Sequence, residues 1–125
     1  MLTDNPISVH VDTQYIPQQS SPEEQRFAFA YTITISNHGI EPVKLISRHW
    51  IITDGNAKVE EVRGDGVVGD QPIIKPGQSY RYTSGALLET AVGTMKGSYQ
   101  MESASGSSFD APIPQFSLIH SRSLH

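Results

Sequence analysis

The sequence predicts an all-β fold: an antiparallel sandwich of two sheets with about seven strands. Three observations carry that reading. Apolar residues alternate with a period of two rather than the 3.6 of a helix. Turn signals recur at intervals of about eight to twelve residues. Only one short stretch has any helical character, too short for the crossover helix of a parallel sheet.

The elements follow in chain order. In "ISVHVDTQY" (7–15), Ile7, Val9 and Val11 share the inward parity, and His10 and Asp12 point outward. "RFAFAYTITIS" sets Phe27, Phe29, Tyr31, Ile33 and Ile35 on one face and small residues on the other, as expected of a strand with one fully buried face. "VKLISRHWIIT" (43–53) is the third strand. "KVEEVR" (58–63) returns along it through the hairpin signal "DGN". "QSYRYTS" (78–84) follows a turn at Pro76-Gly77. "TMKGSYQM" (94–101) and "PIPQFSLI" (112–119) complete the count, joined by the polar loop "SASGSS" (103–108). The stretch 84–93, "SGALLETAVG", is expected to be helical for a turn or two. The ends, before Pro6 and after His120, are expected to fray.

Within the third strand, Trp50 shares its parity with Ile46 and Ile52. It reads as a core residue or as a partner hot spot. Arg48 has the same parity, which requires a β-bulge near Ser47 or an inward arginine with a partner. Tyr99 is expected in the core with its hydroxyl on a nearby backbone group. Tyr80 and Tyr82 share one face, with Arg81 opposite, and fit either the core or a partner surface.

The chain has 125 residues, enough for one domain spanning 1–125, with 37% hydrophobic and 18% charged residues. The net charge is −4 and the nine Lys and Arg residues are scattered, which argues against nucleic acid as a partner. Cysteine is absent, which excludes disulfides, thiolate metal sites and cysteine nucleophiles and fits the cytoplasm. "MLTDNPIS" lacks the basic flank and apolar core of a signal peptide, and no apolar run approaches the ~20 residues of a membrane span.

One motif asks for chemistry. "RGDGVVGDQP" reads G-x-G-x-x-G at Gly64, Gly66 and Gly69. A dinucleotide site needs that loop to follow a buried strand and open a helix. Here a solvated, edge-like strand precedes it, and Pro72 and Pro76 prevent the helix. No lysine follows Gly69, and Asp65 and Asp70 put negative charge where a phosphate would sit. The loop is therefore expected to turn the chain between the sheets, with Val67 and Val68 tucked inward. The alternative is an anion nest of bare backbone amides beside Arg63, taking pyrophosphate or a nucleotide.

Other constellations carry less. None of the histidines (10, 38, 49, 120 and 125) stands at i, i+2 or i, i+4 from another, and a site centred on His49 and Asp54 lacks a third ligand. Glu60 and Glu61 face opposite sides of a strand, as do Glu23 and Glu24 if extended, so neither pair can share a proton. Only Asp65 and Asp70 could converge on a divalent cation, and two carboxylates alone bind weakly. No nucleophile has a visible activator, so no catalytic residue, metal site or cofactor is expected.

The motifs "AYTITISN", "RHWIITDGN", "GDGVVGDQPIIKPGQSYRYTSGALLET", "GTMKGSYQM" and "PIPQFSLI" together resemble the ApaG family, from about Ile7 to Ile119. The resemblance implies a fibronectin type III-like, immunoglobulin-like sandwich in a small soluble protein. It implies protein binding, since similar domains are appended to F-box proteins and to a polymerase-delta-interacting protein. It also brings an association with cobalt tolerance and magnesium efflux, and no catalytic residue. The ending "HSRSLH" departs from the longer apolar tail of the family. The expected function is a non-enzymatic protein-binding module. Its candidate binding residues are Arg63, Gly64, Asp65, Gly66 and Gly69 in the loop and Tyr80 and Tyr82 on the "SYRYTS" edge.

Overall fold

A computed structural model describes residues 5–120, and both predicted frayed ends fall largely outside that range. The chain runs β1 (Ile7–Tyr15), two 3₁₀ turns (Pro17–Gln19 and Pro22–Glu24), β2 (Phe27–Asn37), β3 (Val43–Asp54), β4 (Val59–Asp65), β5 (Ile73–Ile74), β6 (Ser79–Leu88), β7 (Val92–Ser103) and β8 (Ser108–Ile119). All pairings are antiparallel. The small sheet has the order β1-β2-β6. The large sheet has the order β4-β3-β7-β8, with β5 also on β3.

The predicted sandwich is thus present, with eight strands rather than seven. The extra one, β5, is only two residues long, below any periodicity signal. The expected helical turn at 84–93 is absent. Ser84 to Leu88 continue β6 in register with Tyr31 to Phe27, so pairing with β2 overrides a weak local preference. Thr90 then caps the reversal: its hydroxyl accepts from Gly55 N–H and donates to Val92 O, both at 2.7 Å.

The core lies between the sheets. Trp50 is 2% exposed and sits edge-on to Tyr31 at 5.4 Å and Phe116 at 5.9 Å, so its core role holds and a partner-facing one does not. Gly97 faces Trp50 across the β3–β7 ladder, where a Cβ would come within 1.9 Å of His49 O, so only glycine fits. Tyr99 is fully buried, but its hydroxyl meets the Tyr82 hydroxyl at 2.5 Å rather than a backbone group.

The glycine loop does not cross between sheets. It is an excursion between β4 and β5, which pair with the same edge of β3 at 47–53 and 43–44. The crossing is made by the next turn, where Gln78 N–H donates to Lys75 O at 2.9 Å and Gly77 takes φ +79°.

Candidate functional site

Each glycine of the loop has a local mechanical reason. A Cβ on Gly64 would lie 2.8 Å from the Arg48 guanidinium, which rests on that spot. Gly66 has φ +59°, and a Cβ there would stand 2.1 Å from Asp70 O. Gly69 has φ +86° with open space around it, so backbone conformation alone selects it. With Val68 at φ +41° it forms a two-residue reversal closed by Val67 N–H to Asp70 O and Asp70 N–H to Val67 O, both 2.8 Å. Val67 is fully buried, as expected, but Val68 is 55% exposed because the reversal turns it out.

The loop is locked to a bulge in β3. The β3–β7 register slips between Leu45 and Ser47, and the Ile46 carbonyl accepts from Gly66 N–H at 2.8 Å and Gln71 Nε2 at 2.9 Å. Arg48 Nη1 donates to Asp65 O at 2.9 Å and Gly66 O at 2.8 Å. The bulge and the partnered arginine, read from sequence as alternatives, occur together. The amides of Gly66, Val67 and Asp70 are therefore engaged within the protein, and no helix follows to present others.

The sequence-predicted residues divide. Gly66 and Gly69 lie in the loop, whereas Gly64 and Asp65 end β4, paired with Arg48 and Ser47 of β3. Arg63 leaves the loop: its guanidinium pairs with Glu61 at 3.1 Å on the outer face of the large sheet. Tyr82 is buried in the core, and Tyr80 is half-buried with its hydroxyl on Asp70 at 3.3 Å. Burial, and then the Asp70 charge, raise the Tyr80 pKa; burial above all raises those of Tyr82 and Tyr99. The tyrosines thus line the inside of β6, Tyr82 buried and Tyr80 half-buried.

A second cluster was missed. His49 Nε2 meets Glu61 Oε2 at 2.5 Å, and the His49 hydrogen bond and then the Arg63 charge lower the Glu61 pKa. Hairpin arithmetic could have found it, since the "DGN" turn sets His49 opposite Arg63 and Ile51 opposite Glu61. Glu61, not Asp54, is the partner of His49. Among the described residues no three His, Asp or Glu side chains converge as a metal site requires.

The sheet edges differ sharply in protection. On one side β1 and β8 lie against each other. Asn5 Nδ2 donates to Asp110 O at 2.8 Å, and Tyr15 stacks on His120 at 4.0 Å. β8 also carries Pro112, Pro114 and a register slip. β4 presents Glu60, Glu61, Arg63 and Asp65. β6 has ten residues, no proline, an unbroken register and one charged residue, Arg81. One step beyond the β2–β6 ladder, Asn37 N–H donates to Gln78 O at 3.0 Å. Alternation then directs Tyr80, Tyr82, Ser84 and Ala86 to hydrogen-bond with β2. The N–H and C=O groups of Arg81, Thr83, Gly85 and Leu87 point off the edge. The close Thr32–Thr83 hydroxyl pair, 2.8 Å, marks the same non-bonded rows.

The ApaG domain family matches residues 17–103, from the first 3₁₀ turn through β7, and so includes the loop and β6. The chain belongs to the ApaG family. Among relatives, Protein ApaG of Pseudomonas aeruginosa is 57% identical over 123 residues, 98% of each chain. Protein ApaG of Dechloromonas aromatica is 59% identical over 119 residues, 95% of this chain and 94% of that one. The crystal structure of a putative ApaA protein from Bordetella pertussis superimposes with TM-score 0.88 at 50% identity, covering 90% of this chain and 92% of that one. A protein from Archaeoglobus fulgidus, at TM-score 0.57 and 11% identity, shares the fold alone. No helix among the described residues of this ApaG chain is long and apolar enough to cross a membrane.

Proposed function

We propose that this ApaG chain is a non-enzymatic module that binds another protein in the cytoplasm, and that it does so through the free edge of β6. The observation that supports this reading is the lack on β6, among the described residues, of every device that guards the other edges: proline, bulge, dense charge or a neighbouring strand. Strand addition to such an edge is a common way for sandwich modules to bind extended segments. The cobalt and magnesium association of the family then acts through the partner rather than through a cation held by the loop. Anion binding by the loop is not favoured, because Gly66, Val67 and Asp70 N–H already have acceptors.

The test is capture of partners by the purified chain with and without Thr83→Pro, which removes one outward N–H without touching a β2 hydrogen bond. The account expects a specific partner to be lost from the folded variant. A partner retained in full by folded Thr83→Pro would place the surface elsewhere. Gly66→Glu is a poor probe of binding, since its Cβ has no room.

A further inference from the structure

The two sheets differ in width. β1 lies along β8 at one side, so counting across sets β1, β2 and β6 against β8, β7 and β3 and leaves β4 facing no strand among the described residues. Exposure reports the same gap. Glu60 and Val62 pair with Ile52 and Trp50, the inward residues of β3. Yet Glu60 is exposed and Val62 only half-buried, beside a Trp50 that is 2% exposed. Immunoglobulin constant-type sandwiches carry four strands in the corresponding sheet. Here a recess lined by Ile52, Lys58, Glu60, Leu87, Leu88 and Glu89 opens between β4 and β6. Lys58 and Glu89 pair at 3.5 Å across one end, and Tyr80 and Asp70 at 3.3 Å mark the other.

We propose that this gap is a strand-acceptor site for a basic, apolar extended segment of another protein. The segment becomes the fourth strand of the small sheet and directs alternate side chains onto β4. This rests on the protein-binding reading above and narrows it to one ligand chemistry. Arg81, Thr83, Gly85 and Leu87 supply the backbone groups, and Gly85 leaves the outward row uncrowded. The side-chain preference comes from β4. Val62 offers an apolar contact, and two residues away the Glu60 side chain has no hydrogen bond or ion pair among the described residues. Residues two apart on an incoming strand have the same spacing of about 6.6 Å. The segment therefore carries an apolar residue over Val62 and a lysine or arginine over Glu60. A net charge of −4 favours a basic ligand in the same sense. A second copy fits poorly. Its β6 would bring inward residues Tyr80, Tyr82, Ser84 and Ala86, already used in its own core or ladder, and its one cation, Arg81, has the opposite parity.

The test uses two capped synthetic peptides, Thr-Val-Thr-Lys-Thr-Val-Thr and its Lys→Glu counterpart, titrated into the whole chain and followed by amide NMR shifts. The lysine peptide is expected to shift Arg81, Thr83, Gly85, Leu87, Glu60 and Val62, and to bind about tenfold more tightly than the glutamate peptide. Glu60→Lys, on an exposed side chain, is expected to invert the preference. Shifts at β6 that are indifferent to the peptide charge and to Glu60→Lys would overturn the proposed chemistry and leave the edge reading standing. No shift at β6 with either peptide, together with partner capture unaffected by Thr83→Pro, would overturn both. A concentration-dependent dimer that broadens the same amides in light scattering and NMR would assign the gap to a second copy and overturn the proposal.

Discussion

The glycine loop and the β6 edge adjoin in the fold and contrast in how their backbone polar groups are used. The loop has the conspicuous sequence, three glycines in a phosphate-binding pattern, yet its amides at 66, 67 and 70 and its carbonyls at 65 and 66 are engaged inside the protein. The β6 edge has no motif, yet every second residue presents an N–H and C=O that have no ladder partner among the described residues. The contrast teaches that a glycine pattern reports backbone geometry first. Whether that geometry serves a ligand depends on which groups remain free.

Breaking the loop should therefore cost stability, and the costs rank by what each residue holds. The largest effect is expected from Gly66→Ala. A left-handed alanine costs about 1–2 kcal/mol, and its Cβ would overlap Asp70 O, so the total should exceed about 3 kcal/mol. Urea denaturation measures it, and a cost within error of zero would show that the loop is not locked. Arg48→Met comes next. Two charge-assisted hydrogen bonds to Asp65 O and Gly66 O are lost, which should lower stability by about 2–3 kcal/mol while β6 amide shifts stay in place.

The inner face of β6 yields a pH test. Tyr82 and Tyr99 have folded pKa values raised by burial above the ordinary value of about 10. Their neutral forms contribute stability that is fully present below about pH 10 and is lost as pH rises towards the folded values. Wild type should therefore lose stability above about pH 10, and the Tyr82→Phe, Tyr99→Phe double variant should lose less. Each single variant strands one buried hydroxyl, costing about 1–3 kcal/mol, and the double variant should be less destabilised than their sum.

The smallest effect runs the other way. Val68 is a β-branched residue at φ +41° and is 55% exposed, so Val68→Asn should stabilise the chain by about 1 kcal/mol in thermal denaturation.

The strands were legible because each long one alternates, and their predicted starts and ends fall within a few residues of the observed ones. What escaped was set by tertiary contacts. β5 is two residues held by β3, and the extension of β6 through Leu88 depends on pairing with β2. The reversal at Gly66 to Gly69 was legible, but β4 runs on through Gly64 and Asp65, and the partner of Arg48 was not legible, because the bulge at Ile46 that aims it leaves no periodic trace. The tyrosines of β6 drew attention by residue type. The free groups belong to their neighbours, which only the hydrogen-bonding phase of the ladder reveals.

Amide hydrogen exchange of the unliganded chain, read residue by residue by NMR, tests the contrast most directly. The account predicts protected amides at Gly66, Val67 and Asp70, and an alternation along β6. Tyr80, Tyr82, Ser84 and Ala86 should be protected, and Arg81, Thr83, Gly85 and Leu87 should exchange rapidly. Fast exchange throughout the loop, or uniform protection along β6, would contradict it.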